Sequence, residues 1–454
     1  MRRSRRLTPV VLALAALLAA CSVSKDDNAA TTAPAQTEVT APAETSAPDS
    51  APAPDTTEPA VLSRGVTEDT IKIGGAFIDV ESVKQQFGVD LGSLPDEMIP
   101  ALIAGLNADG GINGRQVEYV ERLVVPVGTE SSDQACRELI EDEQVFAVVG
   151  TFLGDTGLCV TETYSTPYFG GFGLTPERQE RSKAPFLTTG SNEADFVQES
   201  TQLLVDEGLL EGKKIAVYST ADGYSQEFID TYLMSVLEAA GVEVVASAIL
   251  SDTGGDQVAA AAELDRILQS FEAAGADTIV APAGMIGFAP ALERTDYAPQ
   301  LYILNGQIMA ADAVTGFAMT NPDELIGAMG VTEGPTSEEL LDDPLLGECI
   351  DWINANSDLA VVPEDIYPKT EKADSRDFRN LPIICGIFQF MRTVLTAAGD
   401  NPSSESIIAG LDSLSSFPVV GYEDASLSAE RWGAGGLLRL WEYDPDQVKF
   451  VPVP

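Results

Sequence analysis

From Thr70 onward the chain alternates short strand-like runs with longer helix-like runs, and the alternation starts afresh after Asn192. The first round opens on TIKIGGAF. A helical face over residues 95–107 follows, carrying Met98, Ile99, Leu102, Ile103 and Leu106, and then the alternating run RQVEYVERLV. A further helix, an apolar strand over residues 145–149, a helix beginning near Asp155 and the strand TPYFGGF complete it. The second round has a helix through Leu204, KKIAVYS, a helix from Ser225 with Phe228, Tyr232 and Val236 on one face, VEVVASAI, a helix from about Asp256, DTIVAPA, another helix and QLYILN. Strands separated by helices must be joined by crossovers, which makes neighbouring strands parallel. Two such rounds predict an α/β chain of two doubly wound lobes with parallel sheets. Ligands of open α/β sheets bind beyond the carboxyl ends of the strands, so the crevice between the lobes is the expected site.

The start of the chain is of another kind. Arg2, Arg3, Arg5 and Arg6 precede an apolar run over residues 7–20. That run is shorter than the roughly 20 residues needed to cross a bilayer, so residues 1–21 read as an export signal. Its end, LAAC, resembles a bacterial lipobox, which implies cleavage before Cys21 and diacylation of its sulfur. Arg5-Arg6 leaves general secretory and twin-arginine export both open. Residues 22–63 are almost wholly Ala, Pro, Thr, Ser, Asp and Glu. They cannot bury enough apolar surface to offset ordering, so a disordered tether is expected.

Charge and missing residue types exclude several functions. The formal charge is −45, and more negative without the leading arginines. Nucleic acid would be repelled. The chain has no histidine, which removes Ser-His and Cys-His nucleophile pairs and His-based zinc sites. No cofactor and no metal are expected.

Of five cysteines, Cys21 is the expected lipid anchor, leaving four. An even number suits an exported protein. With strands in the order 2-1-3, Cys136 and Cys159 lie at similar heights in helices sharing one face of the sheet, which predicts a Cys136–Cys159 bridge. Cys349 and Cys385 then pair across two later helices, with free buried thiols as the alternative.

The stretch LNADGGINGRQVEYV, residues 106–120, has three glycines between a helix and a strand. A phosphate-cradling loop has the reverse order, following a strand and opening a helix. Here the glycines are expected to end the helix in the left-handed conformation while Asn113-Gly114 turns into the strand.

That order, with GVTEDTIKIGGAF before it and ELIEDEQVFAVVG after it, resembles type I periplasmic solute-binding proteins, in particular the leucine/isoleucine/valine-binding branch that serves ABC importers. The likeness runs over residues 66–443 and includes SFPVVGYEDASLSAERWGAGGLLRLWEY. It implies two lobes joined by a three-strand hinge, with crossovers near Thr188, Val331 and Gly435. Lobe one would comprise residues 66–187 plus 335–434, and lobe two residues 188–334 plus 435–454. It further implies a monomer on the outer face of the cell membrane that closes on a small-molecule solute and delivers it to an ABC permease.

The resemblance also assigns positions in the cleft. The loop that would hold a solute carboxylate is Phe152, Leu153, Asp155 and Thr156 here, where Asp155 either caps the following helix or meets the solute. The next loop brings Phe172 and Gly173, with Phe172 lining the pocket or joining the core. Across the hinge, Tyr224 matches a ligand-facing tyrosine, and Met285, Asn305 and Gln307 are further positions. The amino-acid branch has there a glutamate for the ammonium group that this chain lacks, so an amide or a less charged relative of an amino acid is the expected solute.

Two other functions fit the same residues. One is a ligand-sensing lipoprotein of this fold. The other is a secreted hydrolase using a carboxylate pair such as Asp155 with Asp79 or Glu81, since glycosidases need two carboxylates roughly 5–10 Å apart.

Overall fold

The computed structural model describes residues 62–453 apart from 88–90, 126–128, 222–223, 252, 254–255, 284, 305–318 and 367–375. The residues read as an export signal, with Cys21, most of the expected tether, Asn305 and Gln307 lie outside the described residues.

Strands β1 (Thr70–Ile78), β2 (Gln116–Val124), β3 (Ala147–Gly150), β4 (Tyr168–Gly170) and β5 (Phe186–Thr188) form one sheet in the order β2-β1-β3-β4-β5, parallel throughout. Helices cover both faces, which is why β3, β4 and β5 are buried at every residue and read as continuous apolar runs. The second sheet contains β6 (Lys214–Thr220), β7 (Glu243–Leu250), β8 (Thr278–Ala281), β9 (Gln300–Ile303) and β10 (Met329–Thr332). Its order is β14-β13-β10-β9-β8-β6-β7, where β13 is Arg439–Asp444 and β14 is Lys449–Pro452. Strand β13 runs antiparallel to β10 and β14 antiparallel to β13, so the expectation of parallel sheets is corrected at this one edge. A separate two-stranded ribbon pairs β11 (Phe417–Val419) with β12 (Tyr422–Ala425).

The chain returns to the first sheet after its second round. Leu346, Cys349 and Ile353 of helix Pro344–Asn356, and Phe388, Phe390 and Met391 of helix Leu381–Ala397, share one core with β1 to β5. Thr188 at the end of β5 bridges Gly433 in parallel. Around it, Thr188 N–H donates to Trp432 O (3.1 Å) and Ala434 N–H to Thr188 O (2.9 Å). Two passages of the chain between the sheets thus run side by side, and Gly433 permits this, because a Cβ there would lie 2.4 Å from Asn192 N.

The glycine stretch is a corner, as its order implied. Gly110, Gly111, Asn113 and Gly114 all have positive φ, and at Gly111 a Cβ would meet Arg115 O at 1.9 Å. Asn113 does more than turn. Its amide donates to Gly399 O (2.9 Å) and to Leu395 O and Thr396 O (3.3 Å each), binding carbonyls at and just past the end of helix Leu381–Ala397. Asn113→Ala should cost about 2 kcal/mol, by losing these bonds and placing a Cβ residue at φ +49 without a local hydrogen bond. Urea unfolding measures it.

Both disulfides are formed, Cys136–Cys159 and Cys349–Cys385, with Cα atoms 6.3 and 5.9 Å apart. The helix expected near Asp155 is instead a 3₁₀ turn, Gly154–Gly157, followed by a wider turn, Cys159–Thr163. Gly157 lies against Phe186, where a Cβ would sit 3.0 Å from the ring, so the chain coils tightly over the sheet there.

Candidate functional site

The carboxyl ends of β3, β4 and β5 bring together the turn after β3, the loop after β4 and the first turn of helix Glu193–Asp206. The loop after β4 is held by its own backbone. Gly190 N–H donates to Gly171 O (3.0 Å), Glu193 N–H to Leu174 O (2.8 Å), and Thr175 caps helix Pro176–Arg181.

Gly173 N–H points to a side chain of this protein: it donates to Glu193 Oε1 (3.1 Å), while Tyr224 OH donates to Glu193 Oε2 (2.5 Å). Glu193 stands on the first turn of its helix, behind the Asn192 cap. Its carboxylate therefore ties the loop after β4 to the segment after β6. Tyr224 is half-buried and stacks on Phe228 with ring centres 4.3 Å apart. Burial pushes the Glu193 carboxyl up, partly offset by the Tyr224 and Gly173 hydrogen bonds and by Arg178. Burial and then the Glu193 charge push the Tyr224 hydroxyl well up.

A second acid stands nearby. Glu333 follows β10 in the turn Thr-Glu-Gly-Pro, and its Oε2 accepts from Ser191 N–H (3.1 Å). Its Oε1 is shielded from water and has no hydrogen-bond partner. Burial, opposed by Ser191 and reinforced by the charge of Glu193, raises this carboxyl to about 7. The Glu333 charge in turn adds to the rise that burial imposes on the hydroxyl of half-buried Tyr422, and it acts on Tyr224 as well.

The cations around this pair are engaged elsewhere. Arg178 donates to Asp155 (2.9 Å) and to Gly173 O (2.7 Å). Arg181 reaches Asp155 and Glu162, and Arg431 donates to Gly433 O and Ser426 Oγ. Among the described residues neither Glu193 nor Glu333 has an ion-pair partner.

The residues expected in the cleft divide. Asp155 caps nothing: its side chain makes no capping bond and pairs with Arg178 and Arg181. Burial raises its carboxyl, but these arginines bring it below its ordinary value. Phe152 is 2% exposed, packed on Tyr168, and belongs to the core. Thr156 spends its hydroxyl on Leu153 O (2.7 Å). Leu153, 40% exposed, and half-buried Phe172 remain open, and Ile383, 39% exposed, lies against Gly171. Met285 begins helix Met285–Leu292. The hydrolase reading, with Asp155 paired to Asp79 or Glu81, gains no support, because the Asp155 carboxylate is held by two arginines.

Sequence reasoning missed Glu193, Glu333 and Tyr422. An acid in a first helical turn reads as a helix-dipole residue, and Thr-Glu-Gly-Pro reads as a turn. Neither pattern marks a site.

A family model described as periplasmic binding protein matches residues 99–338, just over half of the chain. No curated protein sequence matches it. Among solved structures, a solute-binding protein of an ABC transporter from R. palustris in complex with 4-hydroxybenzoate is 16% identical, covers 85% of this chain and 96% of its own, and superposes with a TM-score of 0.60. The leucine-binding protein LivK of Thermotoga maritima is 11% identical, with 85% and 98% covered and a TM-score of 0.59. LivJ of Streptococcus pneumoniae in complex with isoleucine is 14% identical, with 85% and 99% covered and a TM-score of 0.57.

Proposed function

This chain belongs to the periplasmic binding protein family, whose structural neighbours are non-enzymatic solute binders, and on that premise we propose that it captures a small polar solute, amino-acid- or amide-like, for an ABC importer. Capture takes place between lobe one, residues 66–187 plus 335–434, and lobe two, residues 188–334 plus 435–454, by closure about the crossovers. Lipid at Cys21 and the tether of residues 22–63 hold the binding protein at the outer face of the membrane, within reach of its permease. Among the described residues no helix is long and apolar enough to cross a membrane.

The observation that carries this reading is the Gly173–Glu193–Tyr224 network, which joins groups following strands of the two different sheets at the ends where ligands of α/β folds bind. The bound neighbours hold an aromatic acid in one case and isoleucine in another. Both are small molecules with an apolar body, which suits the open Leu153, Phe172 and Ile383.

Small-angle scattering of the full chain should show a smaller radius of gyration with its solute, and the solute should be recovered unchanged. Tyr224→Ala should weaken solute binding at least tenfold by calorimetry, with an unaltered circular dichroism spectrum. Equal affinity in that variant would remove Tyr224 from the site.

A further inference from the structure

We infer that the solute presents a positively charged nitrogen and no free carboxylate, with the nitrogen seated between Glu193 and Glu333 and walled by Tyr224 and Tyr422. This inference rests on the solute-capture reading and narrows it.

Three observations lead there. In each of the two loops that the family resemblance places in the cleft, a donor is already in use. Gly173 N–H goes to Glu193 and the Thr156 hydroxyl to Leu153 O, so neither is free for a solute carboxylate. A carboxylate arriving here would have to displace the protein's own. Second, Glu193 and Glu333 approach each other from two different passages between the sheets with no cation paired to either among the described residues. The Arg178 and Arg431 guanidinium groups, though near enough to act on them, donate elsewhere. Third, Glu333 Oε1 is cut off from water with no donor. Buried acceptors are seldom left without one, and such an atom calls for a donor that the chain does not supply.

An ammonium, amidinium or similar cation supplies both the missing donor and the missing charge. The two tyrosines suit it as well. Tyr224 gives its hydroxyl to Glu193, and the Glu333 charge acts on both Tyr224 and Tyr422. Leu153, Phe172 and Ile383 then take the apolar remainder.

Occupancy should also be linked to pH. The groups facing Glu333 are Glu193, Tyr224, Tyr422 and Arg431. With the Glu333 carboxyl raised to about 7 in the empty site, a cation must drive its proton off below that pH. Affinity should fall about tenfold for each pH unit below about 7 and level off above it.

The test is calorimetry on the full chain at pH 8, with two matched series. Isoamylamine and tyramine carry the cation without a carboxylate and stay protonated at this pH; leucine, tyrosine and 4-hydroxybenzoate carry the carboxylate. The amines should bind at least tenfold more tightly than their carboxylate counterparts. Glu333→Gln, whose fold is checked by circular dichroism, should reduce amine affinity at least tenfold and abolish its pH dependence, and Glu193→Gln should also reduce it. Tighter binding of the carboxylates, or amine binding indifferent to Glu333→Gln, would overturn the inference and leave solute capture standing. Failure of both series, and of a wider metabolite panel, to change the scattering profile would overturn solute capture itself.

Discussion

Glu333→Gln should stabilise the empty protein at pH 8 and leave its stability unchanged at pH 4.5. In the folded chain this carboxyl keeps its proton up to about pH 7, whereas unfolded it ionises near 4.5. Below 4.5 both states are protonated and the residue costs nothing. As pH rises from 4.5 to 7 the unfolded state ionises while the folded state does not, so the folded state loses stability through that interval and the full penalty persists above it. The interval corresponds to about 3 kcal/mol as an upper bound, reduced by the partial exposure of the residue. Glutamine retains an oxygen for Ser191 N–H and removes the charge that faces Glu193. For a chain of this size the gain is about 2–4 °C in melting temperature. Melting curves of both proteins at pH 4.5, 6 and 8 decide the matter. A difference that does not vary with pH would mean that Glu333 ionises freely in the folded chain.

The same residue shows where sequence reading stopped. Strands β1, β6, β8 and β9 were legible because parallel strands covered on both faces must be apolar along their length, the edge strand β2 because it alternates, and the glycine corner because its order relative to helix and strand is a local fact. The Cys136–Cys159 bridge followed from strand order, itself dictated by the crossovers. The site depends on pairings that no periodicity encodes. Glu193 meets Tyr224 across 31 positions, and Ser191 meets Glu333 across 142. Asp155 looked like a helix cap because caps are local, yet its partners Arg178 and Arg181 lie 23 and 26 positions on. Phe152 matched a cleft position in the loop, and Tyr168 behind it drew the ring inward. Tyr224 was named from the resemblance alone, and its acidic partner was not.

Removal of either disulfide should cost about 3–4 kcal/mol, and the two should be nearly equal. Each cross-link restricts the unfolded chain according to the logarithm of the loop it closes. The separations are 23 residues for Cys136–Cys159 and 36 for Cys349–Cys385, and the logarithm compresses that difference to a few tenths of a kcal/mol. The folded state adds little to distinguish them. Helix Pro344–Asn356, which carries Cys349, keeps other attachments once the bond is gone. Trp352 packs against Gly105 so closely that a Cβ there would lie 2.2 Å from it, and Gln389 donates to Leu345 O (2.7 Å). Where the pairs do differ is in access. Cys349 and Cys385 are both fully buried, whereas Cys159 is partly exposed beside buried Cys136. Thiol–disulfide exchange requires the attacking thiolate to reach a sulfur, so access sets the order of opening while loop length sets the cost. Under a mild reductant the Cys136–Cys159 bond should open first, with Cys349–Cys385 following only as the protein unfolds. Mass tagging of thiols after timed reduction reads that order, and urea unfolding of the paired Cys→Ser variants reads the two costs. Opening of the Cys349–Cys385 bond first would mean that its two helices separate in the native state.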